Sequence, residues 1–340
     1  VRTRSLVACL ALALLGAGAY AYAHFAGSNP RDAAKIRALG EKLFSDARLS
    51  GDGKTSCATC HVPERSFSDG RRVAVGIEGK SGTRNTPSLT SMIASGRQSF
   101  FWDGRRTLLD DAVMDPFSNP VEMGLHSRNE IAAIVVTIED YRPWFPEGRE
   151  ITGGTADRQI ATALTAYLRS LTPPTTRFER FVHGETAAID AREKLGMSLF
   201  EGKGQCSTCH QLAGARLTDN AFHRSGVSMD DIALRLPDLT QGILDRSLTG
   251  SALGDRVATH SDEAQLGHFN VSHRVTDLET FATPSLRNVR LTGPYMHDGS
   301  VETLEAAVDR EVYYRGLDTG YPIGLTAQER ADLRAFLETL

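Results

Sequence analysis

The sequence predicts a mainly α fold built from two units, with long loops and little β structure, and three observations carry that reading. The hexad LGxxLF occurs twice, at 39–44 and 195–200, each time shortly ahead of a CxxCH string, Cys57 to His61 and Cys206 to His210. Apolar residues recur at helical spacing over Arg158 to Leu171 and again over Ala327 to Leu340. Strand-like alternation is scarce, and Gly, Pro, Ser and Asn gather at 50–54, 76–87 and 115–124, where loops are expected.

At the amino end, Arg2 and Arg4 precede an apolar run from Leu6 to Ala19, followed by Ala21-Tyr22-Ala23. That is the charged, apolar, small-residue order of an export signal, expected to span residues 1–23 and to be cleaved after Ala23. The competing reading is an uncleaved membrane anchor. A first domain is expected over 30–180 and a second over 185–340. Pro173-Pro174 stops the helix that closes the first, so the boundary falls between Thr172 and Ala191. Thr326 and Glu329 form a capping box that opens the last helix. With 340 residues, 41% hydrophobic and 24% charged, the chain is long enough for two domains of ordinary size. A formal net charge of −4 gives no basic surface for nucleic acid.

Beyond Cys9, which lies within the signal, all four cysteines fall in the two CxxCH strings, so no disulfide framework remains. Zinc is one use for two CxxC pairs. Against it, each pair is followed at once by a histidine, and the pairs lie about 150 residues apart. Covalent haem attachment accounts for both features. Two thiols three positions apart reach the two vinyl groups on one haem edge, and the next residue supplies an axial imidazole. The fold class therefore becomes two cytochrome c-like haem domains. What occupies the opposite face of each iron decides between electron transfer and catalysis.

In chain order the sequence carries LxxxLFxDxRLSGDGxxSCATCH at 39–61, FSDGRRVAVG at 67–76, RNTPSL at 84–89, FFWDGR at 100–105, NPVEMG at 119–124, CSTCH at 206–210 and TPSLRNVRLTGPYMHDG at 283–299. On these strings the chain resembles the bacterial di-haem cytochrome c peroxidase and MauG family, closer to the MauG-like branch. The resemblance implies two covalently bound haem c groups, on Cys57/Cys60/His61 and Cys206/Cys209/His210, and one calcium ion. It makes the first haem the peroxide site and the second a store or relay of electrons. It further implies that Trp102 lies between the haems, that Glu122 is the distal acid managing protons, and that Pro116 lines the distal pocket. The calcium ligands map to the Asn85 side chain and the backbone carbonyls of Thr292 and Pro294. Read without the resemblance, Trp102 is equally a core aromatic, Glu122 a solvated loop carboxylate and Asn85 a turn residue.

Two departures from the peroxidase branch sharpen the expectation. No histidine occurs between His61 and His126, where that branch places a blocking ligand, so the first haem is expected to be open at rest. Where that branch supplies a methionine to the second iron, fourteen residues after His297, this chain has Glu311. The MauG-like branch uses a tyrosine there, and Tyr313 of Tyr313-Tyr314-Arg315-Gly316 matches if two residues are inserted. Tyr313 is the expected ligand, with Tyr314 and Glu311 as competitors. The tryptophan that MauG carries just before its second CxxCH is absent, Lys203-Gly204-Gln205 standing there instead. The expected function is a periplasmic oxidoreductase using hydrogen peroxide to form a high-valent di-haem state that oxidises a side chain, a tryptophan, of a partner protein. One alternative is a peroxidase that reduces hydrogen peroxide to water with electrons from a small cytochrome c or cupredoxin. The other is a non-catalytic di-haem electron carrier.

Overall fold

Two helix pairs, one in each half of the chain, organise the protein. The computed structural model describes residues 30–145, 153–224, 226–227 and 229–340; the expected signal segment, 1–23, lies outside them. Helix α1 (Pro30–Ser45) packs along α3 (Gly153–Ser170), and α4 (Ala191–Glu201) packs along α8 (Ala327–Leu337). Between the first pair lies α2 (Glu130–Thr137); between the second lie α5 (Leu236–Arg246), α6 (Gly250–Thr259) and α7 (Leu304–Thr319).

The LGxxLF repeat explains both pairings. Its glycine sits where the partner helix comes closest. A Cβ on Gly40 would stand 2.0 Å from the carbonyl oxygen of Ala163, and one on Gly196 would stand 2.0 Å from that of Asp332. Its phenylalanine points inward. Phe44 and Phe200 are buried, the former beside Leu39 and Leu43 and the latter edge-on to Phe336 at 5.4 Å. Burial of each such side chain contributes about 1.5–3 kcal/mol.

Two main cores follow. One is built from residues between Leu39 and Leu168, the other from residues between Phe178 and Leu340. Hydrogen bonds stitch the halves together. The Asn85 N–H donates to the His297 carbonyl at 2.8 Å, the Ala282 N–H to the Trp102 carbonyl at 2.9 Å, and the Thr83 hydroxyl to the Val257 carbonyl at 2.7 Å.

The α-rich character is as expected. The capping box at Thr326 and Glu329 forms, each residue's side chain accepting from the other's N–H at 2.7 and 3.2 Å. Differences are local. The helix expected from Arg158 begins at Gly153 and ends at Ser170, ahead of Pro173. The loop expected at 115–124 contains a helical turn, Asp115–Ser118, started by Pro116. The segment from 229 to 272, where no helix was expected, holds α5 and α6 and a small core of Ile232, Ile243, Leu266 and Phe269. Among the described residues the one sheet has two antiparallel strands, β1 (Phe222–Arg224) and β2 (Thr280–Ala282), with Phe222 opposite Ala282. No described helix is long and apolar enough to cross a membrane.

The glycine contacts generate a test. Gly40→Val and Gly196→Val are each expected to lower stability by about 1–3 kcal/mol, because the added side chain has only a backbone carbonyl to meet. Chemical denaturation of each variant reads this as a lower midpoint; an unchanged midpoint would mean that the helices do not cross this closely.

Candidate functional site

Each CxxCH string forms one short helical turn: Cys57–Cys60 holds both cysteines of the first, and Cys206–Thr208, capped by Cys209, forms the second. The four thiols are free of disulfides. Burial pushes the Cys57 thiol up to about 12 and the Cys60 thiol up to about 11, so both stand as neutral SH groups in apolar surroundings.

The histidine that ends each turn is fixed in the same way. His61 Nδ1 donates to the Phe67 carbonyl at 2.8 Å, and His210 Nδ1 donates to the Leu217 carbonyl at 3.0 Å. In both cases the accepting residue has a left-handed backbone, φ 59° at Phe67 and 56° at Leu217, which turns its carbonyl back toward the ring. With Nδ1 carrying the proton, Nε2 is left as the lone-pair nitrogen. Burial holds both imidazoles below their ordinary pKa, keeping the neutral form that ligates metals. Phe44 of the first hexad lies 6.3 Å from the His61 ring.

The second CxxCH borders a cavity of about 260 Å³. Its wall is mainly apolar, with Phe200, Leu286, Val289, Val308 and Leu337 around His210. Paired thiols, an imidazole with a fixed tautomer and an apolar chamber fit a covalently held haem. They fit zinc poorly. Ligand atoms of Cys209, Asp219 and His223 do come within 4.8 Å of one another, but with Cys209 bonded to a haem only two would remain for an ion.

Glu122 lies in the 119–124 loop, near the first CxxCH. Asn119 Oδ1 accepts from the N–H groups of Val121 and Glu122 at 3.0 and 3.3 Å, and the Ile77 N–H is shared between the carbonyls of the same two residues at 3.1 Å each. Gly76 presses against this loop so closely that a Cβ there would meet the Val121 oxygen at 1.9 Å. The Glu122 carboxyl is half-buried, and its charge reaches both Cys57 and Cys60. Burial raises its pKa, Arg105 opposes the rise, and Asp115 and Asp255 add to it. Pro116, half-buried, accepts the Met123 N–H at 3.2 Å and so ties the short helix to the same loop.

Sequence reading did not single out the charged groups around Glu122. Arg105 lies 3.6 Å over the Phe101 ring and pairs at 3.0 Å with fully buried Asp103. Asp115 takes two hydrogen bonds from Arg106, at 2.8 and 2.6 Å, and one from Ser251 of α6 at 2.8 Å. Asp103 and Arg105 were visible within FFWDGR; Asp255, on α6, carried no local signal.

Trp102 borders the same cavity as His210, its indole N–H donating to the Asn85 carbonyl at 2.9 Å and its own carbonyl held by β2. Asn85 is buried, and its side-chain NH2 donates to the Arg71 carbonyl at 2.9 Å, which leaves Oδ1 as the atom to face a cation. Thr292 and Pro294 border the same cavity as Asn85.

Tyr313 is not brought to the site. The two-residue insertion lies within α7, which runs unbroken from Leu304 to Thr319. On a helix, positions two apart point to nearly opposite faces. Glu311 borders the cavity, whereas Tyr313 is 62% exposed. Tyr314 packs beneath the Arg310 guanidinium at 4.7 Å and against Gly226.

Comparison with known proteins places this geometry. The family model described as di-haem cytochrome c peroxidase matches residues 34–187. The chain is 33% identical over 310 residues to cytochrome-c peroxidase IdrP2 of Denitromonas iodatirespirans, covering 89% of this chain and 80% of the relative. It is also 33% identical over 320 residues to methylamine utilization protein MauG of Methylorubrum extorquens, covering 92% and 80% respectively. Among solved structures, a MauG-like protein associated with microbial copper homeostasis superposes with a TM-score of 0.70 and 31% identity, over 90% of this chain and 89% of that one.

The raised Glu122 pKa has a measurable consequence. Its folded-state value lies above the ordinary 4.5, so the stability it supplies is present in full below 4.5 and is lost as pH rises through the raised value. Glu122→Gln, neutral at every pH, is expected to melt with wild type in acid and above it at neutral pH. Thermal melts across that range check this; a constant offset would show that the carboxyl does not ionise against its surroundings.

Proposed function

The chain belongs to the di-haem cytochrome c peroxidase family and is a haem-dependent oxidoreductase; from that premise we propose that it uses hydrogen peroxide to oxidise a side chain, a tryptophan, of a partner protein in the periplasm. Cys57, Cys60 and His61 hold the peroxide-reactive haem, and Cys206, Cys209 and His210 hold the second, within an N-terminal domain over 30–180 and a C-terminal domain over 185–340. The bound haems supply the redox chemistry, cleaving the O–O bond and holding the two oxidising equivalents.

Glu122 carries the reading. Its carboxyl lies near the first CxxCH with a raised affinity for protons. Such a group takes a proton from the near oxygen of peroxide and returns it to the far oxygen, which leaves as water. Arg105, a buried cation, acts against this rise. Pro116 limits space beside the acid. Trp102, held at both its indole N–H and its carbonyl, is a rigid aromatic bridge on the path between the two haems. Asn85 with Thr292 and Pro294 supplies oxygen donors suited to a hard cation, calcium, at the seam between the halves.

The two relatives at equal identity carry different names, one a peroxidase and one MauG. Two features of this chain favour the MauG-like chemistry. No histidine between His61 and His126 is present to block the first iron, and no methionine follows Met296 to raise the potential of the second. The peroxidase reading, with a small cytochrome c or cupredoxin as donor, draws on the absence of a tryptophan at 203–205 for passing oxidation to a partner.

Mixing the fully oxidised protein with hydrogen peroxide separates them. Reaction without prior reduction is expected, followed as a change in the Soret band. Protein that stays inert until half-reduced would overturn the reading in favour of the donor-driven peroxidase. In the same assay Glu122→Gln is expected to lose about 10²-fold or more in rate while retaining both haems.

A further inference from the structure

We infer that Glu311 is the axial ligand opposite His210, so that the second haem iron is held between an imidazole and a carboxylate. The inference rests on the proposal that Cys206, Cys209 and His210 carry a haem.

The cavity that contains His210 is bordered by one face of α7, formed by Leu304, Ala307, Val308, Glu311, Val312 and Arg315. The intervals of three and one residues are those of a single helical stripe. Within that stripe only Glu311 offers an atom that binds iron. The negative charge of Glu311 reaches the Cys206 thiol, the attachment point of the group to be ligated. One turn on, the Arg315 guanidinium lies 3.6 Å from the Glu311 carboxylate and also donates to the Arg224 carbonyl at 2.6 Å. The pair runs along the stripe, at the i,i+4 spacing of helix neighbours.

Other residues are disposed differently. Tyr313 faces outward and Tyr314 packs on Gly226. His297 Nε2 is bonded to Gln265 at 2.5 Å, with its ring stacked 3.6 Å from Phe281. His223 Nε2 is bonded to Asp219 at 2.7 Å and lies beside Cys209, at the attachment edge. The Tyr295 hydroxyl donates to the Val289 carbonyl at 3.2 Å. Met296 is the remaining rival and borders the same cavity. It sits in a turn closed by the Tyr295 N–H to Val301 carbonyl bond, next to the His297 carbonyl that Asn85 binds, at the seam with the first half, and the Met296→Leu variant below tests it directly.

A carboxylate is a weak-field anionic ligand. It offsets the positive charge of ferric haem and disfavours the ferrous state. This suits a haem that stores oxidising equivalents.

The test uses the full holoprotein, with haem counted by the pyridine haemochrome assay and the second haem followed by electron paramagnetic resonance, visible absorption and redox titration. Glu311→Gln is expected to change the signal of one ferric haem only and to shift its midpoint potential upward. Glu311→Met is expected to create the red charge-transfer band of thioether-bound ferric iron. Tyr313→Phe and Met296→Leu are expected to leave spectrum and potential as in wild type. A second-haem signal that survives Glu311→Gln, or that changes with Tyr313→Phe or Met296→Leu, overturns the assignment. Fewer than two haems in the wild-type protein overturns the di-haem reading itself, and this inference with it.

Discussion

The architecture depends on one bond made twice, from a histidine Nδ1 to a backbone carbonyl. At His61 the acceptor is Phe67 and at His210 it is Leu217, and each acceptor adopts a left-handed backbone to reach the ring. That bond sets the tautomer, aims Nε2, and fixes where a haem must lie relative to its two cysteines. A non-glycine residue in the left-handed region costs of order 1 kcal/mol, which the fold accepts in both halves, six residues after His61 and seven after His210. The helix pairs serve this bond, since Phe44 packs near the His61 ring and Phe200 borders the His210 cavity.

Around this duplicated unit the two halves are joined by backbone rather than by a loose interface. Trp102 illustrates why that matters. Its indole is fixed by a carbonyl from its own half, and its carbonyl by an N–H from the other. Asn85, one residue removed in this chain of contacts, spends its N–H on His297 and its carbonyl on Trp102. A hinge motion between halves would break these bonds together, so Trp102 and Asn85 keep a fixed relation to both halves.

How far the sequence foretold this varies with the range of the interaction. The CxxCH turns, the LGxxLF helices and the Thr326 capping box are local, and each was legible because its residues are neighbours in the chain. The surroundings of Glu122 were not. Asp255 and Ser251 reach them from α6, more than 120 residues away, and Gly254 leaves space for the Arg105 guanidinium. Nothing in either segment alone announces the other. Tyr313 fails for a different reason. Its motif match assumed an insertion, and whether two extra residues form a loop or lengthen a helix is decided by packing along the whole of α7. Once the helix continues, its 3.6-residue period sends positions 311 and 313 to opposite faces.

The repeat therefore ends where the chemistry diverges. Both halves use the same helix, glycine contact, cysteine pair and locked imidazole, which makes the attachment sides of the two sites nearly equivalent. The opposite sides come from unlike elements. Near the first site is a loop clamped by Asn119 and Gly76, carrying an acid whose carboxyl is half-buried and reluctant to ionise. Beside the second is a continuous helix whose carboxylate, that of Glu311, is paired with Arg315 at 3.6 Å. The same functional group is thus set in two unlike surroundings, once beneath desolvation and once beside a guanidinium, within two halves of common design.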